Sequence, residues 1–181
     1  MITKVQADYL LDLQKYVIEH EAKGENTFLE RKSYVPSIPI NDRLYLASKI
    51  DDEFTFFIEI YQTSKNLLKI SLHFQEDDAS IGLLRVDFNG RHRNPSIANE
   101  SIPEIFKRYA DIWIEGSHIH YFFEGYKPLS WAIPLTIDDS FPIKEFSDTG
   151  QFGSILQTFG KRINLQTVLM VTIQQEIHEL D

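Results

Sequence analysis

Residues 43–88 read RLYLASKI DD EFTFFIEIYQT SKN LLKISLHFQ EDDA SIGLLRVDF. Four runs rich in β-branched and aromatic residues, Arg43 to Ile50, Glu53 to Thr63, Leu67 to Gln75 and Ser80 to Phe88, predict four strands. The breaks between them, Asp51-Asp52, Ser64-Lys65-Asn66 and Glu76-Asp77-Asp78-Ala79, are far shorter than the roughly dozen residues of a parallel crossover. Neighbouring strands must therefore run antiparallel, as a meander. Side chains alternate along a strand, so Phe54, Phe56, Ile58 and Ile60 share one face, and Leu68, Ile70, Leu72 and Phe74 share one face of the next. On the last strand Leu84, Val86 and Phe88 face the core, while Arg85 and Asp87 face outward. His73 lies beside Lys69 and Ser71, on the face expected to meet solvent.

Upstream, Thr3-Lys4-Val5-Gln6 matches a capping box, in which the Thr and Gln side chains satisfy free backbone donors at a helix start. Val5, Tyr9, Leu13, Tyr16, Val17 and His20 recur at helical spacing, which predicts a helix ending at Lys23-Gly24 with His20 packed and hydrogen-bonded. Downstream, Asn89-Gly90 is a turn dipeptide, and Arg91 to Asn99 lacks alternation and reads as a loop. Ile102 to Tyr109 suits a short helix with Pro103 in its first turn. Ile112 to Ile114 and Ser117 to Phe123 read as strands, and Trp131 to Ile137 as an edge strand interrupted by Pro134. Ser147 or Asp148 can cap a helix whose stripe is Phe152, Ile155, Leu156 and Phe159, ending near Gly160. Asn164 to Leu180 fits both a strand through Val168 to Ile173 and a helix face, with strand first favoured. The fold class expected is α+β: residues 1–181 as one globular domain, a curved antiparallel β-meander packed by the N-terminal helix and a later helix.

A chain of 181 residues with 43% hydrophobic and 13% aromatic content can bury a core, and it contains no apolar run near the ~18 residues of a membrane span. Its net charge of −9 disfavours broad binding to nucleic acid or to an anionic membrane, though a local RNA contact stays possible. Without cysteine, neither disulfides nor thiolate metal sites exist. Met1-Ile2-Thr3-Lys4 leads straight into mixed residues without the apolar block of a secretory signal, so a cytoplasmic location is expected.

The chemistry-bearing residues fall in two clusters, Arg91-His92-Arg93-Asn94-Pro95 and His118-Ile119-His120, the second followed by Glu124-Gly125-Tyr126. On a strand His118 and His120 point to the same face. Asn89 to Asn99 contains no acidic residue, so Arg91 and Arg93 make a local positive patch. Folded over the histidines, that loop would hold a phosphate or carboxylate through Arg91 and Arg93 while His92, His118 and His120 move protons, as RNA cleavage without a metal requires. Tyr121 and Tyr126 would stack on bases or donate hydrogen bonds.

The string His118-x-His120-x-x-x-Glu124 resembles the first metal motif of the cupin barrels. That resemblance implies a divalent metal held by His118, His120, Glu124 and a later histidine. The glycine positions of the cupin motif hold Ile112 and Trp131 here, and the only histidine downstream is His178.

The leading expectation is a binding or interaction module without cofactor, contacting a protein or a small anionic ligand through Arg91, Arg93, Tyr121 and Tyr126. The alternatives are a metal-independent RNA-cleaving or phosphoryl-transfer enzyme of toxin or phage-defence type, with His92, His118 and His120 as catalytic groups, and a cupin-like protein with a divalent metal on His118, His120 and Glu124.

Overall fold

The computed structural model describes residues 2–21 and 24–174. Thr3 caps helix α1 (Lys4–Asp12) and forms the capping box with Gln6 that the sequence predicts. The helix stops well short of Gly24. Tyr16 to His20, expected as its last turns, form strand β1 (Tyr16–His20), which pairs with β2 (Asn26–Leu29) and β4 (Asn41–Ala47). β-Branched Val17 and Ile18 gain two flanking strands there, and tertiary pairing overrides the helical spacing. The buried face of α1 is Ala7, Leu10 and Leu11, while Val5 and Tyr9 are exposed. His20 is exposed and meets Asn26 at 2.8 Å, so it is hydrogen-bonded but not packed. Lys23 lies outside the described residues.

The meander is confirmed as β4, β5 (Thr55–Thr63), β6 (Asn66–Glu76) and β7 (Ile81–Arg93), all antiparallel. It continues through β8 (Trp113–Tyr121) and β9 (Trp131–Pro134) to give an eight-stranded sheet in the order β2-β1-β4-β5-β6-β7-β8-β9. As expected from Pro134, β9 is an edge. One face of the sheet carries Phe56, Ile58, Ile60, Leu72, Phe74, Leu84, Val86 and Phe88, all fully buried. Phe56 and Phe74 stack with ring centroids 5.3 Å apart. Helix α1 and helix α3 (Phe152–Arg162) cover this core, α3 through Phe152, Ile155, Leu156 and Phe159. A capped turn at Asp148 leads into α3, and the short α2 (Glu104–Lys107) follows Pro103. After α3, β10 (Val168–Val171) pairs in parallel with β3 (Arg31–Tyr34), which decides that part of the ambiguous closing stretch for strand. The remainder of that stretch after Gln174, His178 included, lies outside the described residues. No described helix is long and apolar enough to cross a membrane.

Lys15 joins the two main helices. Fully buried, its ammonium donates to the carbonyls of Leu11 (3.0 Å), Leu13 (2.6 Å) and Ile163 (2.8 Å), beside the Phe56 and Phe74 rings. The last carbonyls of a helix lack intrahelical donors and form its negative end. One side chain thus serves the C-terminal ends of both α1 and α3.

The stretch after Phe88 corrects the sequence expectation. Arg91 to Arg93 belong to β7, whose pairing with β8 continues from Gly90↔Gly116 to Arg93↔Trp113. Between Asp87↔His118 and Gly90↔Gly116, β7 advances three residues while β8 advances two, so the break is a β-bulge with Asn89 at φ 54°. Where Ile112 to Ile114 and Ser117 to Phe123 read as two strands, the single strand β8 runs unbroken from Trp113 to Tyr121, with Gly116 at φ 95°. Beyond the end of β7, the buried Asn94 side chain bonds the main chain of β9, donating to Ala132 O and accepting from Ala132 N, both at 2.8 Å. Asn94→Ala breaks both bonds and orphans a buried N–H and a buried carbonyl. A loss of about 2 kcal/mol is expected by urea unfolding.

Candidate functional site

The bulge positions the site. Before it, the odd residues Arg85 and Asp87 point away from the core. One additional residue reverses the parity, so that His92 joins Arg85 and Asp87 on that outer face instead of entering the core. In register across the sheet lie Arg85↔His120 and Asp87↔His118. The three histidines expected to work together do converge, with ring centroids 4.5 Å apart for His92 and His120, 4.9 Å for His118 and His120, and 5.9 Å for His92 and His118. His118 and His120 are 1% and 0% exposed, and His92 is half-buried.

The loop between β8 and β9 folds over this face. Leu129, held at φ 59° in a conformation costly for a branched side chain, presents its carbonyl to His120 Nδ1 at 2.8 Å. The next carbonyl, of Ser130, meets His92 Nε2 at 2.9 Å. The positive φ of Gly116 turns its carbonyl back to His118 Nδ1 at 2.8 Å. Because a carbonyl only accepts, Nδ1 of both His118 and His120 must carry the proton. Burial pushes the His120 pKa down to about 4, so the ring is neutral at pH 7 and its Nε2 holds a lone pair.

Those Nε2 atoms face Asp87, a residue read from sequence only as outward-facing. Its Oδ2 lies 3.0 Å from His120 Nε2 and 3.2 Å from His118 Nε2. Burial alone would raise the Asp87 pKa, but its close polar neighbours, the Arg85 charge among them, outweigh it and hold the carboxyl well below its usual range. A carboxylate and two imidazole Nε2 atoms thus meet, three atoms of metal-ligating type within 4.8 Å of one another. Arg85 offsets part of this: Nε donates to Asp87 Oδ2 at 2.9 Å, and Nη2 donates to His120 Nε2 at 2.9 Å. His118 Nε2 is buried without any hydrogen-bond partner among the described residues.

Arg85 also belongs to a row of polar side chains running in register from β4 to β8: Arg43, Glu59, His73, Arg85 and His120. His73, expected in solvent, has a side chain 22% exposed, its Nε2 buried without a partner among the described residues; burial first and the Arg85 charge second lower its pKa.

The other candidates have different duties. Glu124 stays away from the histidines, where its carboxylate accepts from Lys4 N at the start of α1. That separates Glu124 from the ligand set the cupin resemblance implies; the carboxylate beside the two imidazoles is that of Asp87. Arg91 pairs with Glu115 at 2.7 Å and lies over the Trp113 ring, while Arg93 pairs with Asp111 at 2.8 Å. The acid-free loop inferred from sequence is thus neutralised by residues of the neighbouring segment. Tyr121, on the opposite face of β8 from the histidines, donates to Asp138 at 2.6 Å; Tyr126 donates to Ile97 O and packs edge-on against Trp131. Neither tyrosine reaches the histidines. Beside Asp87 the outer face holds a depression of about 220 Å³, bordered by Tyr61, Lys69, Ser71, Gly90 and Arg91.

A family model described as a family of unknown function (DUF6978) matches residues 2–165. No curated protein and no solved structure matches the chain.

Proposed function

Because the chain belongs to DUF6978, a family of unknown function, we propose its role from its own residues: it binds a divalent first-row transition metal through Asp87 Oδ2, His118 Nε2 and His120 Nε2. The observation that carries this reading is the meeting of three ligand-type atoms, with a buried His118 Nε2 that has no hydrogen-bond partner among the described residues. With metal–ligand bonds of about 2.1 Å, adjacent ligands stand ~3.0 Å apart in octahedral and ~3.4 Å apart in tetrahedral geometry. The separations of 3.0 and 3.2 Å from Asp87 to the imidazoles fit that range. Each ligand imidazole has its other nitrogen tied to a main-chain carbonyl, the arrangement that orients metal-binding histidines. Two histidines and one carboxylate suit Fe(II), Mn(II) or Zn(II) and leave coordination positions open.

Burial supports the metal over direct proton transfer by the histidines. His118 and His120 are too enclosed to touch a phosphate, whereas Asp87 borders the depression and a metal on it would reach outward. That depression is smaller than the ~300 Å³ at which small-molecule pockets begin, and Lys69 and Arg91 stand on its rim. A small carboxylate or phosphate completing the metal's coordination is the ligand class this suits, in a cytoplasmic protein with no membrane or broad nucleic-acid role. Protein reconstituted with Fe(II), Mn(II) or Zn(II) and then desalted is expected to hold one metal per chain by elemental analysis, and His120→Ala to hold none. Metal well below one per chain with all three ions would sink the reading.

A further inference from the structure

We infer that Arg85 is an internal competitor for the metal and thereby selects which cations the centre accepts; the inference rests on the metal reading above. In this structure the guanidinium is the cation of the centre. Nε and Nη2 both lie 2.9 Å from Asp87 Oδ2, and Nη2 is also 2.9 Å from His120 Nε2. Since His120 Nδ1 donates to Leu129 O, the Nε2 lone pair receives the Arg85 proton, and that same lone pair would bind the metal. One guanidinium therefore covers two of the three ligand atoms and leaves the third, His118 Nε2, unpartnered.

Arg85 and a metal cannot share His120 Nε2, whose single lone pair binds one partner, and a guanidinium beside a divalent ion in a partly buried site is repelled by it. The Arg85 side chain is 33% exposed, so an outward path exists. Beyond His73 in the same row, Glu59 offers a carboxylate, already paired with Arg43, toward which a released guanidinium can turn. Cations that bind imidazole strongly can displace Arg85. Magnesium and calcium, which prefer oxygen ligands, gain too little to do so.

Calorimetric titration of Zn(II) into the wild type and into Arg85→Gln, Arg85→Lys and Arg108→Gln tests this. Arg85→Gln removes the charge while keeping a polar side chain of similar reach, and at least tenfold tighter Zn(II) binding is expected. Lysine, a point charge without the fork that spans two acceptors, is expected to give an intermediate gain, which guards against misfolding of one variant. Arg108→Gln removes an exposed positive charge at the end of α2, outside the row, and is expected to leave the affinity unchanged. Equal tightening by Arg108→Gln would reduce the effect to net charge and overturn the inference. If the wild type binds Zn(II) and Arg85→Gln binds it no more tightly, the competitor role fails while the metal centre stands. If neither protein binds Zn(II), Fe(II) or Mn(II), both fall. Binding by Arg85→Gln alone would overturn both, since the native chain would then hold Arg85 and no metal.

Discussion

Lys15→Ala is expected to lower stability by about 3 kcal/mol or more, the largest effect of any single substitution named here. Three main-chain carbonyls, from Leu11, Leu13 and Ile163, lose their shared donor at once. Each unmet buried polar group costs about 1–3 kcal/mol, and the truncated chain leaves a void beside Phe56 and Phe74. For a chain of this size the melting temperature is expected to fall by roughly 6–12 °C. A loss under about 1 kcal/mol in urea unfolding would mean that water reaches those carbonyls and that Lys15 does not hold α1 and α3 together.

The same residue predicts a pH dependence. Burial pushes the Lys15 pKa down to about 7, with Asp12 opposing it weakly, against about 10.4 in the unfolded chain. Between these values the unfolded state binds a proton that the folded state has released, so stability rises with pH in that window. The contribution is flat below pH 7, where both states are protonated, and flat again above the unfolded value. Its slope is at most about 1.4 kcal/mol per pH unit. Subtracting the profile of Lys15→Met from that of the wild type isolates this contribution, and a difference independent of pH from 7 to 10 contradicts it.

The second large effect is stabilisation by the metal. A ligand that binds only the folded state at a hundred times its dissociation constant adds about 2.7 kcal/mol, or roughly 5–10 °C in melting temperature for a protein of this size. Zn(II) or Mn(II) is expected to produce that rise in the wild type, and excess chelator to reverse it. His118→Ala is expected to abolish the response, at some cost to the metal-free fold as well, because the ring is buried and its Nδ1 donates to Gly116 O. Asp87→Ala abolishes it too but costs stability by itself, since Arg85 loses its carboxylate. An unchanged response in His118→Ala would place any bound metal elsewhere.

The strand runs from Arg43 to Phe88 were legible because alternation and short polar breaks are local properties; their ends moved by three residues or fewer except at the end of β7, which continues past Phe88 to Arg93. So were the Thr3 capping box and the buried stripe of α3. Tyr16 to His20 misled for a physical reason: its apolar residues suit a helix by spacing and a strand by shape, and only the neighbouring strands decide between them. Arg91 and Arg93 looked unopposed because Glu115 and Asp111, which neutralise them, are distant in sequence.

By itself the sequence determined an antiparallel α+β domain and a same-face pair, His118 and His120, since both follow from period-two alternation and loop length. Tertiary structure alone decided what that pair faces. A single additional residue in β7 reverses parity and brings His92 to the histidines, a strained Leu129 supplies the carbonyl that orients His120, and strand register sets Asp87 and Arg85 against the two imidazoles. Most of these relations join residues about 30 apart or more across paired strands, where the energy of pairing is settled by the whole sheet and leaves no local pattern in the chain.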